Sequence, residues 1–235
     1  QMLYHSERIY GIDISKYQHV HKRRVYGIDW RNLRITRLGH TADRNALGAV
    51  DYPVSFVYIK STEGLTVFNP YYTQDVRAAR RYGFPVGAYH FFSTRPAMSQ
   101  ADYFLKKSRL RKGDLPPMLD VELSDRRIAA MGGRDVLFRE MLVWLKEVGR
   151  RSGTTPIIYV SQDFVNRYMP FAPEELKAYP VWVARYGEYK PYVHLLYWQL
   201  SPDGRVRGIQ GDVDIDVFNG SEEQFKRYLR AQTVK

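Results

Sequence analysis

The segment PPMLDVE, residues 116–122, begins with two prolines and an apolar run and ends in two acidic residues. In an extended strand, residues i and i+2 point to the same side, so Met118, Asp120 and Glu122 share one face, with Met118 the deepest. Carboxylates are costly to bury unless they are paired or hydrogen-bonded. The end of this strand therefore either forms a structural salt bridge with one of the many arginines or carries out chemistry.

Seven other segments have the short, β-branched and aromatic character of buried strands. They are RIYGIDIS (8–15), VSFVYIKS (54–61), PVGAYHFF (85–92), TPIIYVS (155–161), PVWVARY (180–186), HLLYWQLS (194–201) and DVDIDVF (212–218). Helical patterns separate several of these segments, and such alternation is typical of parallel strands covered by helices. The sequence predicts the α/β fold class, with eight strands in a modified (β/α) TIM-like barrel.

Capping residues mark three of the helices. The first is predicted to start with Asn69 as its cap and Pro70 in its first turn, and to end at Gly83. The second covers 133–153, where apolar residues recur at helical spacing ahead of a basic last turn. The third begins at Ser221, because SEEQ has the pattern of a capping box.

The C-terminal part of the sequence departs from the strand and helix alternation. Pro-Asp-Gly at 202–204 is a turn signal, and no helix fits between the strand segments 194–201 and 212–218. We predict that these last strands pair as a hairpin. The barrel should therefore be irregular at its C-terminal end.

The length of 235 residues suits one large domain. We expect residues 1–235 to form a single barrel domain, with no separate wall-binding domain, because no repeat or low-complexity linker is present. Residues 19–53 are the least patterned part and are predicted to form a long surface insertion with one or two short helices. The basic residues 22–24 within it are interpreted as a solvated face.

The net charge of +11 is the strongest feature of the composition. A basic surface attracts polyanions such as nucleic acid, anionic lipid or acidic cell-wall polymers. We expect no nucleic-acid partner, because HKRR at 21–24 is the one short basic run and no basic element is interleaved with aromatics. The chain has no cysteine, which excludes disulfides, a thiol nucleophile and thiolate metal ligands. It has no apolar run of about 18 residues, so no membrane span is predicted.

Four acids fall where barrel strands end or begin. Asp13 ends the first strand, Asp120 and Glu122 end the fourth, and Asp214 lies in the last. In a (β/α) barrel, side chains at the carboxyl ends of the strands converge on one opening. Crowded carboxyl groups cannot all stay ionised, so at least one pKa should rise. A protonated acid beside a second carboxylate is typical of glycosidases. An isolated acid such as Asp125 or Asp203 is more simply interpreted as a turn or cap residue.

Seven blocks of the sequence resemble glycoside hydrolase family 25, the Chalaropsis-type lysozymes or N-acetylmuramidases. They are GIDISKYQ (11–18), FVYIKSTEG (56–64), VGAYHFF (86–92), MLDVE (118–122), IIYVS (157–161), VWVARY (181–186) and YWQLSPDGRVRGIQGDVDIDVFNGS (197–221). The blocks occur in the order of the family and cover nearly the whole chain. The resemblance implies a modified (β/α) barrel that cleaves the β-1,4 bond between N-acetylmuramic acid and N-acetylglucosamine in peptidoglycan.

The resemblance also assigns roles to individual residues. Glu122 matches the family's general acid, and Asp120 matches the partner carboxylate that orients the 2-acetamido group or helps to activate water. Asp13 and Asp214 match the two remaining acids of the site. Eight further positions in family blocks are candidate substrate-binding residues: Lys60, Glu63, Tyr89, His90, Tyr159, Trp182, Tyr186 and Gln199. Asp216 departs from the family, which usually has Asn there, and adds a carboxyl group close to Asp214.

Two alternatives remain open from the sequence: a glycosidase of another amino-sugar polymer such as chitin, and an inactive cell-wall-binding protein. No cofactor or metal site is expected, because His19 and His21 lack a third ligand and are interpreted as surface histidines. We expect a monomer that works on peptidoglycan glycan strands, either secreted or in the cell envelope, with no signal sequence in this chain. The mechanism is left open between retention through an enzyme nucleophile, inversion and acetamido participation.

Overall fold

The computed structural model describes residues 7–40, 48–184 and 194–235. The strands in these residues are β1 (Ile9–Ile14), β2 (Val20–His21), β3 (Arg24–Val25), β4 (Arg34–Arg37), β5 (Ala49–Tyr52), β6 (Val57–Glu63), β7 (Val67–Phe68), β8 (Val86–Phe91), β9 (Met118–Asp120), β10 (Ile157–Ser161), β11 (Pro180–Ala184), β12 (His194–Arg207) and β13 (Val213–Phe218). The α-helices are α1 (Tyr72–Arg81), α2 (Ala97–Ser108), α3 (Asp125–Ala130), α4 (Arg134–Ser152), α5 (Gln162–Arg167), α6 (Glu174–Lys177) and α7 (Glu222–Ala231).

Eight of the strands close into a barrel. Their order is β1, β6, β8, β9, β10, β11, β12, β13 and back to β1. All neighbours are parallel except β13, which is antiparallel to both β12 and β1. These are the eight predicted strands, so the modified (β/α) barrel and the antiparallel pairing of its last two strands are confirmed.

The reversal between the last two strands lies further along the chain than predicted. Strand β12 continues through Pro-Asp-Gly at 202–204 to Arg207, with shifts of register around Ser201. Its second half pairs with β4, which keeps the backbone extended past the predicted turn. The chain then reverses between β12 and β13, where Gly208 and Gly211 have φ angles of 98° and 82°. The predicted turn at 202–204 is therefore wrong, and this stretch is a bulged part of the strand.

The three predicted helices are present, with one difference at the start of α1. This helix begins at Tyr72, and Asn69 precedes it in a turn, where its Oδ1 accepts from the backbone N of Tyr71 at 2.9 Å. The Asn69 amide also donates to the carbonyl oxygen of Lys60, which ties the turn to β6. The capping box at Ser221 is formed as predicted.

Residues 19–53 contain strands where the sequence predicted one or two short helices. Their only helical turn among the described residues is the 3₁₀ turn Trp30–Asn32, and β4 and β5 extend the sheet from the second half of β12. Four side chains of this region join the core between barrel and helices: Trp30, Leu33, Ile35 and Leu38. The insertion is therefore anchored to the barrel, because the long β12 offers a free edge and apolar side chains of the insertion are buried beside it.

Alternation along the strands separates two apolar layers. One lies between the strands and the helices. The other fills the interior of the barrel and consists of Ile9, Phe56, Tyr58, Tyr89, Leu115, Met118, Ile157, Tyr159, Trp182, Tyr197, Phe218 and Phe225. Phe225 of α7 packs in this inner layer beside Ile9 and Phe218, so α7 closes the end of the barrel at which β1 begins. The opposite end, where the parallel strands finish, is left for polar residues.

Candidate active site

The structure brings the four predicted acids together in one cleft. Asp13 of β1 lies directly across from Asp214 of β13 in the strand register. Asp120 is the last residue of β9, and Glu122 follows it on the same side of the chain. All four side chains line a cleft of about 630 Å³ at the carboxyl end of the parallel strands. The predicted convergence of acids from distant sequence positions is therefore present.

Four of the eight candidate substrate-binding residues also line this cleft: Lys60, Tyr89, Tyr159 and Gln199. The two tyrosines are only 8% and 7% exposed, so they form the floor of the cleft and reach it with one edge. Lys60 reaches over the ring of Phe91 with its ammonium group 4.9 Å from the ring centre. Lys60 thus brings a positive charge to a cleft that otherwise carries carboxyl groups.

The other four candidates lie elsewhere or cannot be placed. His90 is on the outer face of the barrel, because its neighbour Tyr89 takes the inner face and adjacent strand residues point to opposite sides. Its ring stacks on Trp144, and its nitrogens contact Thr62 and Gln100 at 2.6 and 2.9 Å. Burial lowers the pKa of His90 to about 4, so the ring is neutral. Its predicted substrate contact is wrong.

Trp182 and Glu63 also do not line the cleft. Trp182 faces the barrel interior but lies one layer too deep, fully buried against Tyr197 and Tyr58. Glu63, at the end of β6, receives a hydrogen bond from the Lys60 ammonium at 2.7 Å, so it can hold Lys60 in place without lining the cleft itself. Tyr186 lies outside the described residues.

Several residues that the sequence analysis did not select complete the cleft. They are Ser15, Tyr17, Phe91, Met118, Ser161, Gln162, Asp163, Ala184 and Pro202. The period of two along a strand could have indicated Phe91 and Ala184, since they share a face with Tyr89 and Trp182. Tyr17 could not be found this way, because it lies in the 3₁₀ turn Lys16–Gln18 after β1.

Asp120 and Glu122 form the upper carboxyl pair of the cleft. Burial raises the pKa of Asp120 well above its ordinary range, and the adjacent Glu122 carboxyl and the Asp13 charge raise it further. The positive charge of Lys60 opposes this rise in part. Asp120 therefore keeps a proton to higher pH than an ordinary aspartic acid does, directly beside the Glu122 carboxyl group.

A second carboxyl pair lies deeper, below Asp13. Asp216 is fully buried in β13, across from Gly11 of β1 and Gln199 of β12. Burial raises the pKa of Asp216 well above its ordinary range, and burial and the Asp216 charge do the same for Asp13. The Asp13 carboxyl and the Trp182 indole N–H lie beside the Asp216 carboxyl, and each lowers its pKa in part. A proton shared between Asp13 and Asp216 allows one carboxyl to donate to the other.

Replacing Asp216 by Asn should stabilise the folded protein at neutral pH by about 1.5–3 kcal/mol, the range typical of a hydrogen bond to a charged group, because the Asn amide can donate to the Asp13 carboxylate without binding a proton. The folded state keeps a proton on the Asp13–Asp216 pair, whereas the unfolded chain releases it above about pH 4. Stability is therefore greatest at low pH and falls as the pH rises through the raised pKa. We expect the gain in thermal midpoint from Asp216→Asn to be large at pH 7 and to shrink towards pH 4.

The matched control is Asp135→Asn, which removes an exposed carboxylate at the start of α4. Its thermal midpoint should follow that of the unaltered protein at every pH. If Asp216→Asn lowered the midpoint by the same amount from pH 4 to pH 8, the shared proton would be disproved.

Comparison with known proteins identifies the family. A sequence model of the family described as "Glycosyl hydrolases family 25" matches residues 12–209. The chain belongs to glycosyl hydrolase family 25. The protein YegX of Escherichia coli K12 is 33% identical over 228 residues, which are 95% of this chain and 74% of YegX. Lysozyme M1 of Streptomyces globisporus is 29% identical over 91% of this chain and 68% of its own length.

A solved structure of the same family has the same fold. The family 25 glycosyl hydrolase from Bacillus anthracis superposes with a TM-score of 0.73, with 24% identity, over 97% of this chain and 96% of that one. The family predicted from the sequence is thus confirmed, and with it the prediction of a glycoside hydrolase of the lysozyme or muramidase type. Within the described residues, none of the helices combines the length and apolar character needed to cross a bilayer.

Proposed function

We propose that this family 25 hydrolase cleaves the β-1,4 bond between N-acetylmuramic acid and N-acetylglucosamine in peptidoglycan. The observation that carries the proposal is the Asp120–Glu122 pair, which lies in the cleft at the end of β9 and in which burial raises the pKa of Asp120 well above its ordinary range. The names of the relatives agree with it. Besides Lysozyme M1, they include an N,O-diacetylmuramidase of Chalaropsis that is 31% identical over 50% of this chain.

Glu122 is the proton donor in this proposal. It gives its proton to the glycosidic oxygen as the bond to the sugar carbon breaks, and the Glu122 carboxylate formed in this step can act as the base in the next one. The loss of that bond leaves positive charge on the ring carbon and ring oxygen. Carboxyl groups fixed in the cleft can stabilise such charge, because they are already in place when it develops.

Asp120 is proposed to act on the substrate's 2-acetamido group. A carboxylate that accepts a hydrogen bond from the acetamido N–H turns the carbonyl oxygen towards the sugar carbon and makes it a better internal nucleophile. Water then opens the resulting ring, with Glu122 as the base. Asp13 and Asp214 add two further carboxyl groups to the cleft, and Tyr89, Tyr159 and Gln199 bound the space left for the sugar.

The setting of the reaction follows from the substrate. We propose a monomer that acts on glycan strands in the cell envelope or outside the cell, and a single catalytic unit that includes the 19–53 region. Buried side chains of that region, such as Ile35 and Leu38, support its inclusion, since they share the core between barrel and helices.

Product analysis tests the proposed bond. Mass spectrometry of the fragments released from purified peptidoglycan, after reduction of their ends, should show reduced muramic acid, because the bond on its anomeric carbon is the one cleaved. Reduced glucosamine ends would instead show cleavage of the other glycosidic bond. Efficient hydrolysis of chitin oligomers in the same assay, with no release from peptidoglycan, would favour a glycosidase of another amino-sugar polymer.

A further inference from the structure

A small basic hairpin projects beside the cleft. Strands β2 and β3 pair through Val20 with Val25 and through His21 with Arg24. Lys22 and Arg23 form the two-residue turn between them, and all the residues from 20 to 25 are exposed. The two valines are 40% and 67% exposed. Much of their apolar surface is not buried against any other described part of the protein and is free to contact a ligand.

The turn is built from residues that do not favour its shape. Lys22 and Arg23 have φ angles of 48° and 66°, so both adopt the left-handed conformation. Two-residue hairpin turns with both positions left-handed usually consist of Asn-Gly, since in most other residues Cβ lies too close to the following carbonyl oxygen. The strain indicates that the side chains at these two positions serve a purpose other than making the turn.

The base of the hairpin is held rigidly by a buried histidine. The Nδ1–H of His19 donates to the carbonyl oxygen of Tyr26 at 2.8 Å, and its Nε2 is hydrogen-bonded to Asp75 Oδ2 of α1 at 2.6 Å. Its ring also stacks on Tyr71 with the centres 4.3 Å apart. Burial alone would lower the pKa of His19, but the Asp75 carboxylate raises it above its ordinary value. The interpretation of His19 as a surface histidine is therefore wrong, and the hairpin is fixed to the barrel.

The hairpin follows a cleft-lining residue directly in the chain. Tyr17 lines the cleft and is 69% exposed, and its 3₁₀ turn leads directly into β2. The ammonium of Lys16 lies 5.6 Å from the centre of the Tyr17 ring. At about 3.3 Å per residue, the turn at Lys22 stands roughly 10 Å beyond His19. A chain that branches from a sugar in the cleft on this side would meet the hairpin.

The charges of the hairpin are not neutralised locally. No acidic residue occurs between Asp13 and Asp29 in the sequence. In the parts of the chain that the structure describes, no carboxylate forms an ion pair with Lys22, Arg23 or Arg24. Three cations are thus held close together in an exposed position, with two exposed valines beside them.

We propose that residues 20–25 form a binding arm for the acidic peptide that branches from muramic acid in the strand being cleaved. Lys22, Arg23 and Arg24 attract the carboxylates of the peptide, and Val20 and Val25 offer apolar surface to its aliphatic side chains. The inference rests on the proposed function, because a muramic acid bound in the cleft is what presents the peptide. It makes the arm a source of preference for glycan strands that carry peptides.

The test compares two forms of one substrate. Peptidoglycan freed of phosphate-containing wall polymers is used either with its peptides or after an amidase has removed them. The arm variant carries Lys22→Asn, Arg23→Gly and Arg24→Gln, which keeps a favourable Asn-Gly turn and removes the charge. The control variant carries Lys226→Gln, Arg227→Gln and Arg230→Gln, which removes three exposed charges from α7 at the closed end of the barrel.

On strands with peptides at low salt, the arm variant should lose roughly tenfold in kcat/KM, as expected for three modest surface contacts. The loss should shrink at high salt, and it should be absent on strands without peptides. The control should keep its activity on both substrates, and the thermal midpoint of the arm variant should be equal to that of the unaltered protein or higher. No loss on strands with peptides, or an equal loss on both substrates, would overturn the arm. Failure of the unaltered protein to cleave either substrate would instead overturn the proposed function.

Discussion

Glu122→Gln should lower kcat on purified peptidoglycan by about 10²–10⁴-fold, the usual contribution of a general acid. This corresponds to roughly 3–5 kcal/mol of lost transition-state stabilisation. Gln keeps the size of the side chain but has no proton to give to the leaving oxygen. The fold and the affinity for glycan should therefore stay close to those of the unaltered protein. Initial rates of reducing-end release, together with a pull-down of protein on insoluble peptidoglycan, measure the two effects separately.

The matched control for this variant is Asp125→Asn. Asp125 lies three residues further along the chain but is exposed and receives hydrogen bonds from Arg167 and Tyr168. Its replacement should change kcat less than twofold, because surface ion pairs contribute little. Unchanged clearing of peptidoglycan by Glu122→Gln would refute the role of Glu122. If the unaltered protein bound peptidoglycan without releasing any reducing ends, the alternative of an inactive wall-binding protein would be favoured.

The second large effect is expected at Asp120. Asp120→Asn should lower kcat by about 10²–10³-fold, a loss typical of removing one preorganised group that stabilises charge. It should also move the alkaline limb of the pH profile to lower pH. Burial and the neighbouring charge raise the pKa of Asp120, and above that pKa its charge favours the retention of a proton in the cleft, whereas an amide carries no such charge. Measurement of kcat/KM from pH 4 to pH 9 checks both parts.

Asp120→Asn and Asp216→Asn are expected to have different effects, because they alter different carboxyl pairs. Asp216 is fully buried and does not line the cleft, so its replacement is predicted to act on stability. An Asp120→Asn enzyme with an unchanged pH profile would show that the raised pKa of Asp120 does not shape the pH dependence of the reaction. The acetamido mechanism has its own test: an analogue that lacks the N-acetyl group must be hydrolysed far more slowly, and full-rate hydrolysis would exclude acetamido participation.

The sequence predicted which way side chains point better than how deep they lie. Alternation alone puts Asp13, Asp120 and Tyr89 on the inner face of the barrel. The same alternation along GAYHF puts His90 on the outer face, away from the cleft. Depth depends on the stagger between neighbouring strands, which no single strand reveals. Trp182 faces inward as its pattern implies but lies below the cleft, because its register with Tyr197 places it in the inner apolar layer.

Features that depend on distant parts of the chain escaped the sequence analysis. The Pro-Asp-Gly stretch at 202–204 stays extended because β4, far away in the sequence, pairs with the strand beyond it. His19 is buried by Asp75, which lies 56 residues away. Local propensity indicates a turn and a surface histidine at these two places. Contacts with remote segments override the local propensity at both places. The contact between His19 and Asp75 also holds the base of the proposed peptide-binding arm.

The most direct test of the account is a crystal structure of the Glu122→Gln protein with an uncleaved peptidoglycan fragment of two or more disaccharides. We predict that the glycosidic oxygen lies within hydrogen-bond reach, about 2.6–3.2 Å, of the side-chain amide that replaces the Glu122 carboxyl group. The acetamido group of the sugar on the anomeric side should then contact Asp120. A fragment bound outside the cleft, or one whose glycosidic oxygen faces away from Asp120 and position 122, would contradict the account.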